Sequence, residues 1–179
     1  MRDPRTSKAA RVASMLSMIQ QLTGIDSMIL YSSTIFAKAG TFTANESSAL
    51  INTANMVATI GGLVLIGIGG RRTLMLVNQM ACVISLLIMW FASMNANPNL
   101  ELLMMIVFIC AFEFGPGPVV WLYISEICTD KTASVATAVN QLFTLLVSIF
   151  SPYMLTDWLK AHTWLLYANF SLLVSTTIY

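Results

Sequence analysis

Apolar residues in this chain come in long runs, not in the narrow stripes of a water-soluble helix. The runs cover residues 12–37, 48–68, 73–94, 100–127, 133–155 and 164–179. About 20 apolar residues in helical form match the ~30 Å hydrocarbon core of a bilayer. Each run therefore predicts a membrane-spanning helix, the last of them short. The connections at 38–47, 69–72, 95–99, 128–132 and 156–163 are too brief to hold a soluble domain. The expected organisation is a cytosolic lead segment over 1–11 and a six-span bundle over 12–179.

Two runs are interrupted. The fourth contains Glu113 and the break Gly115-Pro116-Gly117-Pro118. Pro116 and Pro118 lack the amide protons that would bond the carbonyls of Phe112 and Phe114. Carbonyls freed in this way are tolerated against protein or a watery cavity, not against acyl chains. The first run carries Gly24 beside Gln20, Gln21 and Asp26. In a regular helix Gln20 and Asp26 point about 120° apart, and unwinding at Gly24 lets them turn toward one ligand. The breaks fall in the first member of each consecutive set of three runs. Paired broken helices predict a 3+3 inverted repeat with a polar site between the repeats.

Other polar residues at membrane depth extend this picture. A buried carboxylate costs roughly 2.5–3.5 kcal/mol on insertion scales, so Asp26 and Glu113 stand out as functional candidates. Gln20 and Gln21 can alternatively act as interhelical glue. Asn52 and Asn55 share a helix face, and Trp121 is placed to form a cavity wall. Gly61, Gly62, Gly67, Gly69 and Gly70 are expected at close helix contacts. Tyr31 and Trp90 are read as core or interface residues and His162 as a solvated loop residue. Glu126 near one helix end, with Arg71 and Arg72 entering from the same side, forms a candidate gate pair.

Composition narrows the class further. Hydrophobic residues make up 57% and charged residues 9% of the chain, outside the range of soluble domains. A nucleic-acid-binding surface has no basic residues to be built from. Cys82, Cys110 and Cys128 have neither the spacing nor the histidine partners of a metal or disulfide framework and read as apolar core. No cofactor, metal or catalytic set is expected, and an enzyme is not the expected class. Counting cations by alternate loops puts Arg2, Arg5, Lys8, Arg11, Arg71, Arg72 and Lys131 on one side, and Lys38 and Lys160 on the other. The positive-inside rule makes the first side cytosolic, with both termini on it.

Several motifs resemble the C-terminal half of the sugar porter family of the major facilitator superfamily, the group that contains the glucose facilitators. Gln20-Gln21-Leu22-Thr23-Gly24-Ile25-Asp26 resembles the signature of that family's seventh helix, and the likeness continues over residues 31–40. Gly70-Arg71-Arg72-Thr73 resembles its loop between helices eight and nine. The segment from Phe112 to Trp121, followed by Glu126, is similar to helix ten and its cytosolic motif. The resemblance implies an all-α membrane protein, six transmembrane helices forming one half of a major-facilitator-type bundle. It also implies sugar ligands at Gln20, Gln21, Asp26, Asn55, Glu113 and Trp121, and a cytosolic gate at Glu126, Arg71 and Arg72.

The chain departs from the family pattern at several places. Asp26 stands for an asparagine and Leu30 for a common aromatic residue. Gly67 and Ile68 stand for an acid and an arginine, and Lys131 is the only base near the position of an arginine. Thr144-Leu145 stands where an asparagine–tryptophan pair is expected.

The function these features predict is movement of a small polar solute, a sugar, by alternating access across a membrane, with the plasma membrane as the expected site. The family has twelve spans and this chain six, so the expected partners are the bilayer, the sugar, and an N-terminal six-helix half or a second copy. The alternatives are a non-transporting membrane sensor or assembly subunit, or an inactive fragment.

Overall fold

The computed structural model describes residues 4–30, 32, 40, 43–68 and 70–177, and all regular structure among them is helical. Helix α1 spans Pro4–Leu22 and α2 covers residues 25–30. They are followed by α3 (Ala44–Ile68), α4 (Arg71–Met94), α5 (Pro98–Phe114) and α6 (Pro116–Ile127). Helix α7 (Asp130–Tyr153) runs on into a π-helical turn, Met154–Trp158, and α8 (His162–Thr177) closes the order. Arg2, Tyr31, Lys38, Gly69 and most of the 31–40 motif lie outside the described residues.

Among the described residues, four stretches are long and apolar enough to cross a membrane: Ser48–Gly67, Arg71–Met94, Pro98–Ile127 and Asp130–Trp158. Helix α8 has 16 residues, and α1 opens on the polar Arg5, Thr6, Ser7 and Lys8.

Both expected breaks are present, each with a local cause. Gly24 has φ +86°, a left-handed conformation that costs a residue with a β-carbon. A β-carbon there would also lie 2.7 Å from the Tyr167 ring. The α5–α6 break falls at Gly115, and Pro116 opens α6, where a missing amide proton costs nothing. The Phe112 carbonyl is not left free, because the Gly115 N–H donates to it at 3.3 Å.

The helices pack in a regular scheme: α1 lies on α7, α3 on α5, and α4 on both α5 and α8. Trp164, Phe108, Met28, Ile51, Leu86, Met89 and Met105 are fully buried between them. Acyl chains are as apolar as leucine, so close packing and interhelical hydrogen bonds must hold these helices together. Gly62 is one such contact: a β-carbon on it would approach the Glu113 carbonyl oxygen to 2.2 Å. One on Gly61 would meet the Phe114 ring at 2.9 Å. The expectation fails for Gly67, which has nothing within 4 Å, and for Gly70, which meets only Thr73 Oγ1 at 3.8 Å. These two lie at the end of α3 and just past it, where no helix comes near enough to need a glycine.

Hydroxyl and amide bonds complete the joints. Ser27, Ser151 and Tyr167 bond one another, Tyr167 Oη lying 2.7 Å from Ser27 Oγ and 2.9 Å from Ser151 Oγ. The triad ties α2 to α7 and α8 just beyond the Gly24 break. Gln79 Nε2 donates to the Ser171 carbonyl and hydroxyl at 3.0 and 2.6 Å, joining α4 to α8. The three cysteines are free.

Candidate functional site

The two breaks place a band of polar side chains across one level of the bundle. Gln20, on the last turn of α1, donates from Nε2 to the Gly117 carbonyl on α6 at 3.3 Å. A β-carbon on Gly117 would lie 3.5 Å from Glu113 Oε2, so Gln20 and Glu113 flank the same glycine. Thr59 on α3 is within hydrogen-bonding distance of Glu113 Oε2 at 2.9 Å and of the Asn55 carbonyl at 2.8 Å. Its hydroxyl donates to one or the other. Gln20, Gly117, Glu113, Thr59 and Asn55 thus form one connected set over α1, α6, α5 and α3.

A second set continues it onto α7. Gln21 Nε2 donates to Asn140 Oδ1 at 3.1 Å, and Asn140 Nδ2 donates to the Ser17 carbonyl at 3.3 Å. One helical turn further along α7, Thr144 lies beside the Asp26 carboxylate. Of the six expected ligand residues, Gln20, Gln21 and Glu113 enter the band through side-chain bonds, Asn55 through its backbone carbonyl, and Asp26 through its neighbour Thr144. Trp121 is not brought to it by any hydrogen bond among the described residues; its ring is 38% exposed on α6. Asn52 is exposed one turn before Asn55.

Asn140 is the band residue that the sequence analysis passed over. It is 3% exposed and holds both α1 and Gln21 in place. The available signal was an asparagine in an apolar span one turn before Thr144. At the position read as a departure from the family pair, Thr144 reaches Asp26, whereas Leu145 is 56% exposed.

Arg71, at the start of α4, and Glu126, near the end of α6, form an ion pair, each side chain about half exposed. With Arg72, Val12, Leu16, Met75, Val119, Val120 and Tyr123 they line a cavity of about 430 Å³. His162 is exposed, yet its Nδ1 accepts from Trp90 Nε1 at 3.3 Å, so it caps the α4–α8 contact rather than standing alone in solvent. An open cleft of about 590 Å³ between α3 and α5 is larger, but its walls are Ala49, Leu50, Thr53, Ala54, Val57, Ala58, Cys110 and Phe114. Such a surface suits acyl chains and offers almost nothing to a polyol.

Long apolar helices, two of them broken around polar side chains, define an all-helical membrane protein. The profile described as "Sugar (and other) transporter" matches residues 2–179, and the chain belongs to that family. It is 36% identical over 146 residues to the facilitated trehalose transporter Tret1 of Drosophila grimshawi, covering 74% of this chain and 16% of that protein. It is 32% identical over 166 residues to the probable glucose transporter rco-3 of Neurospora crassa, covering 87% of this chain and 28% of that protein. The chain thus spans only a minor part of the curated relatives it matches.

Among solved structures, a double-tryptophan mutant of XylE superposes with a TM-score of 0.83 at 25% identity, over 94% of this chain and 38% of XylE. The inward-open xylose transporter XylE from E. coli shares the fold, with a TM-score of 0.83 at 22% identity over 95% of this chain.

Proposed function

We propose that this chain takes part in moving a sugar across a membrane by alternating access, as the C-terminal six-helix half of a transporter. The observation that carries the reading is the polar band joining both broken helices. Amides and carboxylates at hydrogen-bonding density suit a ring of hydroxyls, which each donate and accept. Gln20, Gln21, Asp26, Asn55 and Glu113 are the proposed ligands, with Trp121 proposed as the flat apolar face.

Helix pairing supports the 3+3 repeat. Exchanging the set α1–α2, α3, α4 for the set α5–α6, α7, α8 turns the α1–α7 contact into the α5–α3 contact. It also turns α4 on α5 into α8 on α1, and all of these pairs pack. In the most apolar 18-residue windows of Ser48–Gly67 and Asp130–Trp158 only 17% of the residues are buried, against 39% and 56% in those of the other two stretches. Those two lightly covered helices are the proposed seat of an N-terminal half or a second copy. Arg71 and Glu126 form the proposed cytosolic gate. The cation count supports cytosolic termini, and a plasma-membrane location is the proposed setting.

The test is sugar counterflow in proteoliposomes containing the chain with a complementary half. Accumulation of labelled hexose against trapped unlabelled hexose supports transport. Binding without counterflow would replace it with the sensor reading.

A further inference from the structure

The amides of the polar band are oriented by their partners, and the orientation decides which of their atoms remain free. Asn140 Nδ2 donates to the Ser17 carbonyl, so Asn140 Oδ1 turns to Gln21, and Gln21 can only donate there. Gln20 Nε2 donates to the Gly117 carbonyl, which has no proton to give. Flipping either glutamine would set oxygen against oxygen, so the network removes the usual ambiguity between amide O and N. Both Oε1 atoms are then without partners, on side chains only 7% and 8% exposed. Asn55 Oδ1 and Asp26 Oδ2 are likewise buried and unpaired. Thr59 has one proton for two acceptors.

The unmet need is almost entirely for donors. Buried acceptors without partners are costly, and a buried carboxylate without a counter-charge either takes up a proton or draws its cation from a ligand. The chain supplies no such charge from the spans involved: no lysine or arginine occurs between Arg11 and Lys38, between Arg72 and Lys131, or between Lys131 and Lys160.

Resting on the sugar-site reading above, we propose that the site selects its sugar by charge. It takes the ligand as a hydrogen-bond donor, prefers a ring bearing an ammonium group that pairs with Asp26, and excludes rings bearing a carboxylate. An ammonium brings three donors and the missing positive charge. A uronate brings an acceptor-only group to a wall of acceptors, and specificity follows from that repulsion as much as from attraction to the right ligand.

Affinities of the chain paired with a complementary half in lipid nanodiscs test this, with glucose, 2-deoxyglucose, glucuronate and 2-amino-2-deoxyglucose, the last below the pKa of its amine. The expected order is the amino sugar about tenfold tighter than 2-deoxyglucose, the scale of one charge-assisted hydrogen bond, with glucuronate unbound. Asp26→Asn, which keeps the shape, brings the ratio of amino sugar to 2-deoxyglucose close to one, and Glu113→Gln does not. Glucuronate binding as well as glucose overturns the inference, as does an amino-sugar preference that survives Asp26→Asn. If that variant does not fold, the wild-type order decides alone. Neutral hexose binding without any charge ranking overturns the selection and leaves the sugar site standing; binding of no sugar at all overturns both.

Discussion

Gln21 donates to Asn140 Oδ1 at 3.1 Å across the contact between α1 and α7, and Asn140 in turn donates to the Ser17 carbonyl one turn before Gln21. One buried asparagine thus anchors both the backbone of α1 and the orientation of a candidate sugar ligand. Its removal leaves the buried Gln21 amide without a partner and the Ser17 carbonyl with its helical bond alone. Asn140→Ala is expected to destabilise the chain by about 1–3 kcal/mol. Combined with Gln21→Ala it should cost less than the sum of the two single changes. Denaturation midpoints of the four proteins check this, and strict additivity would show that the bond does not couple the residues.

The glycines of α3 separate two effects. Gly62→Ala places a methyl group 2.2 Å from a backbone oxygen that cannot step aside. The expected loss is about 1–3 kcal/mol from overpacking, with α3 displaced from α5. Gly67→Ala meets nothing within 4 Å and should be neutral or stabilising by up to ~1 kcal/mol through helix propensity. Thermal unfolding of both variants in the same detergent makes the comparison.

Arg71 and Glu126 pair with side chains 51% and 46% exposed. At that exposure a pair contributes about 0.2–1 kcal/mol and weakens as salt is added. A double-mutant cycle with Arg71→Ala and Glu126→Gln, read through accessibility of the cavity they line, should show coupling of that size at low salt and less at high salt. No coupling at either salt concentration removes the gate assignment.

The proposed orientation rests on cation placement and has its own test. In a protein lacking Cys82, Cys110 and Cys128, a cysteine at the exposed Thr73 should resist a membrane-impermeant reagent applied outside and react once the membrane is opened. Labelling from outside reverses the proposed topology.

How far the sequence was readable depended on the range of the interaction. The breaks at Gly24 and Gly115 were legible because glycine and proline act on their own backbone. The close approach at Gly62 was legible as a small residue in a span, but the same rule gave a false contact at Gly67, since composition says nothing about which helix lies opposite. The Gln21–Asn140 bond joins residues 119 positions apart, and nothing local to Asn140 marks its partner. The triad of Ser27, Ser151 and Tyr167 was unreadable for a further reason: serine hydroxyls in helices commonly return to their own backbone, so their sequence carries no sign of a bond to another helix.

The amides at the end of α1 are the proposed hold on the sugar. Heat protection by glucose, measured for the chain paired with a complementary half in lipid nanodiscs, should separate wild type from the Gln20→Ala/Gln21→Ala double variant. Wild type is expected to show a ligand-dependent rise in unfolding temperature, lost in a variant that still unfolds cooperatively. Equal protection of both proteins would mean that the sugar is held elsewhere.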